Sequence, residues 1–125
     1  MSSTLPKSER ISKRDEINLL FKKGKSSHNY PVRLVYLELE TIDTPIRVAF
    51  SAPKKNFKKA VDRNLLKRRM KEAYRLNKND LQNLLKAKNK NIIAFFIYSS
   101  KELLPYEEIE SKIILHLQRL QGKYE

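Results

Sequence analysis

Three stretches of the chain repeat apolar residues at the spacing of an amphipathic helix. In the first, Ile17, Leu20 and Phe21 fall on one face. Ser12 is followed three residues later by an aspartate, which is the spacing of a capping box. Gly24 suits the position just past a helix end. The pattern therefore predicts a first helix that begins at Ser12 and ends before Gly24.

The other two stretches lie beyond residue 58, and a shorter helical piece is expected between them. A long helix is expected from about residue 59 to about residue 77, with a shorter one over 80–86. The last helix is expected to begin near Pro105, because proline suits a first helical position. Its buried stripe would consist of Ile109, Ile113, Leu117 and Leu120.

Three further stretches have the length and composition of strands. Residues 32–40 are rich in Val, Leu and Tyr, and residues 46–52 are a second candidate strand. The turn-like stretch 41–45 between them predicts a hairpin. Residues 91–99 contain the continuous apolar run IIAFFIY, which is typical of a central strand covered on both faces. The resulting order, α-β-β-α-β-α, predicts an α+β architecture.

The charge of the chain changes this picture from a generic domain to a binding protein. Its 125 residues include 27 Lys and Arg against 14 Asp and Glu, which gives a formal net charge of +13. Such an excess favours an anionic partner, nucleic acid first, although a merely solvated basic surface is the alternative. The N-terminus lacks the apolar run of a signal peptide, and no stretch approaches the ~20 apolar residues of a membrane span. Cysteine is absent, so we expect a cytoplasmic protein.

The positive charge is concentrated between residues 54 and 75, where Asp62 and Glu72 are the only acids. Its members are Lys54, Lys55, Lys58, Lys59, Arg63, Lys67, Arg68, Arg69, Lys71 and Arg75. On a helical wheel, one side carries Leu65, Leu66, Met70, Ala73, Tyr74 and Leu76, which predicts the core-facing side. The opposite side carries Asn64, Lys67, Arg68, Lys71 and Arg75 without an acid among them. Arg63 borders both sides, and Arg69 is expected to lean along the core and reach out at its tip.

A basic stripe of this kind is suited to a nucleic-acid backbone. Arginine can hold a phosphate through two parallel hydrogen bonds, and lysine acts as a point charge. Asn64 adds a neutral donor and acceptor for a sugar hydroxyl or a base edge. The alternative is a solvated amphipathic helix, but solvated faces usually interleave acids with bases.

The segment 47–75 resembles the signature of the bacterial ribonuclease P protein family. The matching residues are Phe50, Ser51, Lys54, Lys55, Ala60, Val61, Arg63, Asn64, Lys67 and Arg68. The stretches 7–11 and 21–26 and the Tyr-Glu-Glu at 106–108 are also similar to the family. The similarity therefore extends over most of the chain in the right order.

The resemblance implies an α+β fold in one small RNA-binding domain spanning 1–125, and a disordered N-terminal tail is expected over 1–8. In it, a mixed sheet of about four strands packs with three helices in the order α-β-β-β-α-β-α, with a left-handed β-α-β crossover. It also implies a subunit of an endoribonuclease that removes the 5′ leader of precursor tRNA. Catalysis and Mg²⁺ would belong to the RNA subunit, and the partners would be that RNA and precursor tRNA. No membrane partner or obligate protein partner is implied.

The same resemblance implies two sets of site residues. The catalytic RNA would contact Lys54, Lys55, Arg63, Asn64, Lys67, Arg68, Arg69, Lys71 and Arg75. The leader would lie in a cleft between the first helix and the sheet, with Arg14, Phe21, Lys25 and Tyr36 as candidates; ordinary core is the alternative for Phe21 and Tyr36. Two departures from the family pattern stand out: Leu65 replaces the second Arg of an Arg-Asn-Arg motif, and Asn56 replaces a Gly after Lys-Lys.

The sequence shows little sign of protein-based catalysis. His28 and His116 are far apart, and phosphate loops, nucleophile motifs and metal-ligand spacings are absent. We therefore expect no catalytic residue, cofactor or metal in the protein itself. A general RNA-binding or ribosomal protein, and an independent protein nuclease, remain as alternatives.

Overall fold

A mixed sheet packed between helices makes up the fold in a computed structural model that describes residues 5–11, 13–40 and 44–125. After a 3₁₀ turn at Lys7–Glu9, the described elements follow in chain order. They are α1 (Arg14–Lys23), β1 (Lys25–Asn29), β2 (Val32–Glu38), β3 (Ile46–Ser51), α2 (Ala60–Asn77), α3 (Asn79–Ala87), β4 (Ile92–Tyr98) and α4 (Tyr106–Tyr124). The α+β class is confirmed, and the short helix expected at 80–86 is a fourth helix beside the three that the resemblance implies.

The strand order is β1-β2-β4-β3. β2 pairs antiparallel with β1 and β4, and β3 pairs parallel with β4. The hairpin predicted between β2 and β3 is therefore wrong. The apolar strand β4 lies between these two strands and pairs with both of them. Residues 41–43 of the predicted turn lie outside the described residues. The connection from β3 through α2 and α3 to β4 joins parallel strands, and its left hand stays a prediction from the resemblance.

The central strand β4 has side chains in two cores, one on each face of the sheet. Its even-numbered residues, such as Phe96, join the larger core under α2, α3 and α4. Phe96 packs against Phe50 at 5.5 Å and against Tyr74 of α2 at 6.0 Å between ring centroids. On the other face, Ile93 packs with Leu20 of α1 in the smaller core. The unbroken apolar run in β4 thus follows from burial on both sides.

His116 of α4 is a buried polar residue in the larger core. Its Nε2 lies 2.8 Å from the Val32 carbonyl oxygen, to which it can donate a hydrogen bond. Burial lowers the pKa of His116 below its usual value, which favours the neutral ring. His116 therefore packs in the core and provides a hydrogen-bond partner for the Val32 carbonyl oxygen of β2.

Several sequence-predicted details differ from the structure. α1 begins at Arg14, and the predicted start at Ser12 lies outside the described residues. The polar strand β1 has no apolar alternation, so the residue pattern could not reveal it. In the predicted tail, Leu5 is only 2% exposed, because burial of its apolar side chain ties this part of the segment to the larger core.

The side of α2 that faces the core is narrower than the wheel predicted. Leu66, Met70, Ala73 and Tyr74 are fully buried. Leu76 is 54% exposed, so its assignment to the core was wrong. The sheet and α4 cover only part of the apolar arc, and Leu76 lies beyond the part that they cover.

Replacing Gly24 by alanine is expected to lower the free energy of unfolding by about 1–3 kcal/mol, as overpacking does. A Cβ at Gly24 would lie 2.4 Å from the Leu20 backbone oxygen and 2.9 Å from Val35 Cγ1. The oxygen cannot move freely, because it accepts the Gly24 N–H bond that ends α1.

Gly122→Ala is the matched control for this prediction. Nothing lies within 4 Å of a Cβ at Gly122, which is inside α4. Alanine there should raise stability by about 0.5–1 kcal/mol, because it restricts the unfolded chain and favours the helix. Urea unfolding of both variants measures the difference. Equal stability of the two would contradict the close approach at Gly24.

Candidate nucleic-acid interface

A groove with a volume of about 470 Å³ runs between α2 and the edge strand β3. Its wall on α2 is formed by Asn64, Lys67, Arg68 and Lys71. These positions follow the i, i+3, i+4, i+7 spacing that puts side chains on one helix face. The floor is β3, at Val48, Ala49 and Phe50, and the far wall is Arg10 and Ile11. The structure therefore brings together four of the nine residues predicted to contact RNA.

Arg10 is a groove residue that the sequence reasoning did not select. Its segment is held against β3 by a parallel bridge to Val48 and by the Ile11 N–H, which donates to the Val48 oxygen at 2.9 Å. This pairing places the exposed Arg10 across the groove from the basic side of α2. Its position inside a matched Lys-Ser-Glu-Arg-Ile stretch was the only signal in the sequence.

The groove combines positive charge with a low-dielectric floor. Arg10, Lys67, Arg68 and Lys71 supply four cations, and the described lining residues contain neither Asp nor Glu. A concave surface of one sign focuses the field of its charges and concentrates counter-ions. The apolar floor displaces water and strengthens this effect. The arrangement is suited to a chain of phosphates.

Arg63 points away from the groove and stabilises the loop that precedes α2. Its Nη1 donates to the backbone oxygens of Phe57 at 2.7 Å and Lys58 at 3.0 Å. Phe57 is buried and packs against Tyr98 at 5.9 Å between ring centroids. Loop 53–59, which has Asn56 in place of the family's glycine, is therefore anchored by the ring of Phe57 and the guanidinium of Arg63. Lys54 and Lys55 are exposed in this loop, outside the groove lining.

Arg69 and Arg75 also lie outside the groove, and the structure gives each a different partner. Arg69 Nη1 donates to the Leu104 oxygen at 2.6 Å, in the loop before α4. This contact is on the side of α2 away from the groove, so Arg69 does not line the groove with Lys67 and Arg68. Arg75 Nε donates to Glu72 Oε1 at 2.8 Å, and Glu72 raises the pKa of Arg75. Its charge is therefore partly offset by its own helix.

The four residues predicted for the leader cleft do not form one site. Phe21 contacts Phe95 at 5.5 Å, on the α1 face of the sheet. Tyr36 is paired in register with Ala94 and lies on the α4 face, beside its β1 neighbour Lys25. Successive strand residues point to opposite faces, and the sequence did not reveal which parity Tyr36 has. Arg14 is exposed at the first residue of α1, away from Tyr36.

The face that carries Phe21 has its own set of candidates. Phe95 and Ile97 of β4 are half-buried there, beside Arg33 of β2, which is paired in register with Ile97. Arg33 Nε donates to Ser26 Oγ at 3.1 Å, which leaves the guanidinium on the exposed surface. The exposed ring of Phe21 and the half-buried ring of Phe95, with an arginine on the same face, are suited to stack on unpaired bases. The sequence reasoning missed Phe95 and Arg33, because a continuous apolar strand gives no face assignment.

The described part of the chain shows neither a metal-binding group nor a membrane helix. Within residues 5–11, 13–40 and 44–125, no group of three His, Cys, Asp or Glu side chains could hold a metal ion. In the same residues, no helix is both long enough and apolar enough to cross a membrane. The groove and the α1 face are therefore the features that need a functional explanation.

Fold and groove together define a class, that of small basic α+β proteins built to bind a polyanion along one helix. The Ribonuclease P family model matches residues 5–121. The ribonuclease P protein component of Porphyromonas gingivalis strain W83 is 39% identical over 94% of this chain and 87% of its own length. That of Geobacter sp. strain M21 is 36% identical over 98% of this chain and 97% of its own. The solved ribonuclease P protein of Thermotoga maritima superposes with a TM-score of 0.72 at 25% identity, covering 89% of this chain and 96% of that one. The chain belongs to the ribonuclease P protein family.

Leu65→Arg, which would restore the family's second motif arginine, is expected to be tolerated. Leu65 is only half-buried, beside the highly exposed Val61 and the groove residue Arg68. The free energy of unfolding should change by less than about 0.5 kcal/mol, as for surface substitutions. Affinity for RNA should rise, because a further cation enters the basic side of α2.

Leu66→Arg is the matched control, since Leu66 is adjacent and fully buried. A charge forced into that core should cost several kcal/mol and prevent folding at ordinary temperature. Thermal unfolding and filter binding measure the two effects. A large loss of stability in Leu65→Arg would show that Leu65 is part of the core.

Proposed function

We propose that this chain is the protein subunit of ribonuclease P, which assists Mg²⁺-dependent removal of the 5′ leader from precursor tRNA. One observation carries the proposal: Asn64, Lys67, Arg68 and Lys71 line one groove, with Arg10 opposite them. Asn64, Lys67 and Arg68 match the helix motif of the family, and the fold places them on one side of the groove. Ribonuclease P is an endoribonuclease whose catalytic subunit is RNA, so the protein contributes binding and not bond breaking.

The groove supports a specific role in holding the catalytic RNA. Its cations would neutralise neighbouring phosphates, while Asn64 hydrogen-bonds a sugar or base edge. Arg68 can grip one phosphate with two parallel hydrogen bonds. Lys54 and Lys55, on the anchored loop, would extend the positive surface beyond the N-terminal end of α2. Arg63 supports them indirectly, because it holds that loop in place.

The leader would bind on the α1 face of the sheet. There, Phe21 and Phe95 present rings at the edge of α1, and Arg33 adds a positive charge. Stacking on such rings tolerates any base, which suits leaders of varied sequence. Tyr36 and Lys25 are not part of this proposal, because they lie on the opposite face.

In the cytoplasmic holoenzyme, Mg²⁺ held by the catalytic RNA would supply the activated water for hydrolysis of the phosphodiester. The protein would reduce the repulsion between two RNA molecules that must approach closely. It does so with Arg10, Lys67, Arg68 and Lys71, which neutralise phosphates without requiring additional ions. Its contribution should therefore be largest at low salt and low Mg²⁺.

A reconstitution assay tests the proposal. Precursor tRNA and Mg²⁺ are incubated with the protein, with a bacterial ribonuclease P RNA, and with both. We expect the protein alone to leave the substrate intact and to increase cleavage by the RNA at low Mg²⁺. Binding of RNA without any effect on cleavage would instead indicate a general RNA-binding or ribosomal protein. Cleavage by highly purified protein would indicate a protein nuclease.

A further inference from the structure

A second cavity, of about 260 Å³, lies at the opposite edge of the sheet from the α2 groove. It is formed where α1 ends, β1 begins, β2 ends and α4 ends. Its polar and aromatic lining consists of Lys23, Lys25, Tyr36, Glu38, Lys123 and Tyr124. The groove borders β3, whereas this cavity borders β1, so the two are separated by the width of the four-stranded sheet. Neither the proposed contact with the catalytic RNA nor the proposed leader surface uses it.

Three lysines converge on this cavity against one carboxylate, that of Glu38. In the described part of the chain, none of the three makes an ion pair with an Asp or Glu side chain. Lys123 Nζ lies 5.3 Å from the centre of the Tyr36 ring, a cation–π contact that holds the ammonium over the cavity wall. A close side-chain contact with Lys123 and the positive charge of Lys123 lower the pKa of Lys25.

The positions of these lysines at helix ends explain only part of the arrangement. Lys23 and Lys123 lie in the last turns of α1 and α4, where a cation is favoured by the helix dipole. Lys25 belongs to a strand and has no such reason to be there. Two separate helices and a strand bring their ammonium groups to one cavity. That convergence is unfavourable for the empty protein and becomes favourable when an anion binds between them.

We propose that Lys23, Lys25 and Lys123 form a second phosphate-binding site, which holds a backbone phosphate of an RNA strand at the β1 edge of the protein. The cavity is smaller than the ~300–1,000 Å³ typical of small-molecule pockets, so it is suited to one phosphate group and not to a whole nucleotide. Tyr36 and Leu37 give it an apolar wall, which strengthens the attraction of the lysines for the phosphate. This proposal depends on the proposed function in one respect, which is that RNA is taken as the source of the phosphate.

Amide NMR of the full-length protein tests this site. The probes are a single-stranded oligouridylate RNA and, separately, inorganic tripolyphosphate. The test variant is Lys25→Gln with Lys123→Gln. The control is Lys86→Gln with Lys88→Gln, which removes two exposed lysines near the end of α3 and leaves the same net charge as the test variant. All four positions are exposed, so both variants should fold.

The RNA is expected to shift the amides of Lys25 and Tyr36 in the wild type and in the control, but not in the test variant. The slope of log affinity against log salt should be smaller by about 0.7 in the test variant, the contribution of one single-strand phosphate. The amides of Asn64 and Lys67 report the α2 groove separately and should respond in all three proteins. Failure of the proposed function would appear at those amides and in the cleavage assay.

Two results would overturn this proposal. Equal shifts and equal salt slopes in the test and control variants would remove the lysines from any RNA contact. Saturation of the Lys25 and Tyr36 amide shifts by tripolyphosphate, with no response to RNA, would show a site for free anions instead.

Discussion

Replacing Lys67 and Arg68 by alanine is expected to weaken binding of the catalytic RNA by about 100-fold or more. Both side chains line the groove, with Arg10 on the opposite wall. Each is expected to make a charge-assisted hydrogen bond to phosphate, worth about 1.5 kcal/mol or more. Two such losses sum to about 3 kcal/mol, which corresponds to slightly more than 100-fold in the dissociation constant. The slope of log affinity against log salt should flatten by about 1.4–1.8.

The control for this prediction is Lys86→Ala with Lys88→Ala. It removes the same charge from an exposed region near the end of α3. If long-range attraction were the only effect of charge, the two double variants would lose affinity equally. Equal losses would therefore contradict the groove as the RNA contact. Thermal unfolding should show that both variants fold like the wild type, because none of the four side chains is fully buried.

Replacing Leu20 by alanine is expected to lower the free energy of unfolding by about 2–5 kcal/mol. Leu20 is fully buried and is the α1 residue that packs with Val35 and Ile93 in the smaller core. The smaller core holds few other buried side chains, so the cavity left by alanine would loosen α1 on the sheet. Because α1 carries Phe21, binding of a precursor with a leader should weaken more than binding of mature tRNA.

Leu103→Ala is the control, since it makes the same substitution at a side chain that is 46% exposed. It should change stability by less than about 0.5 kcal/mol. Urea unfolding compares the two, and electrophoretic mobility shifts compare the two tRNA ligands. A Leu20 variant as stable as the Leu103 variant would mean that α1 is not docked through Leu20. A stable Leu20 variant that still lost leader discrimination would point to a direct contact instead.

The groove shows which residue positions on α2 a helical wheel can predict. Asn64, Lys67, Arg68 and Lys71 were predicted to share a side, and they do, because helical spacing alone decides which residues of one helix are neighbours. The wheel could not place Arg63 or Arg69. Arg63 borders both sides of the wheel and Arg69 lies within its apolar arc, and each donates a hydrogen bond to a backbone oxygen outside α2. The width of the core-facing arc likewise depended on how much of α2 the sheet and α4 cover.

The leader candidates show where strand patterns fail. Phe21 was singled out from the sequence, and its partner Phe95 lies within the continuous run IIAFFIY. Such a run carries no alternation, so it cannot tell which residue faces which helix. Tyr36 has the wrong parity for the α1 face, and a shift of one residue would have reversed that result. The hairpin prediction failed for a related reason. A turn-like sequence between two strands does not show whether a third strand will lie between them in the sheet.

The sequence alone determined the helices, the central strand, the concentration of charge and the basic side of α2, because these depend on local spacing and on the order of residue types. Tertiary structure decided the strand order, the faces of Phe21 and Tyr36, the entry of Arg10 into the groove and the meeting of Lys25 with Lys123. Those features require segments distant in the chain to pack side by side. Pairing and burial of that kind are set by the whole core, and no single segment encodes them.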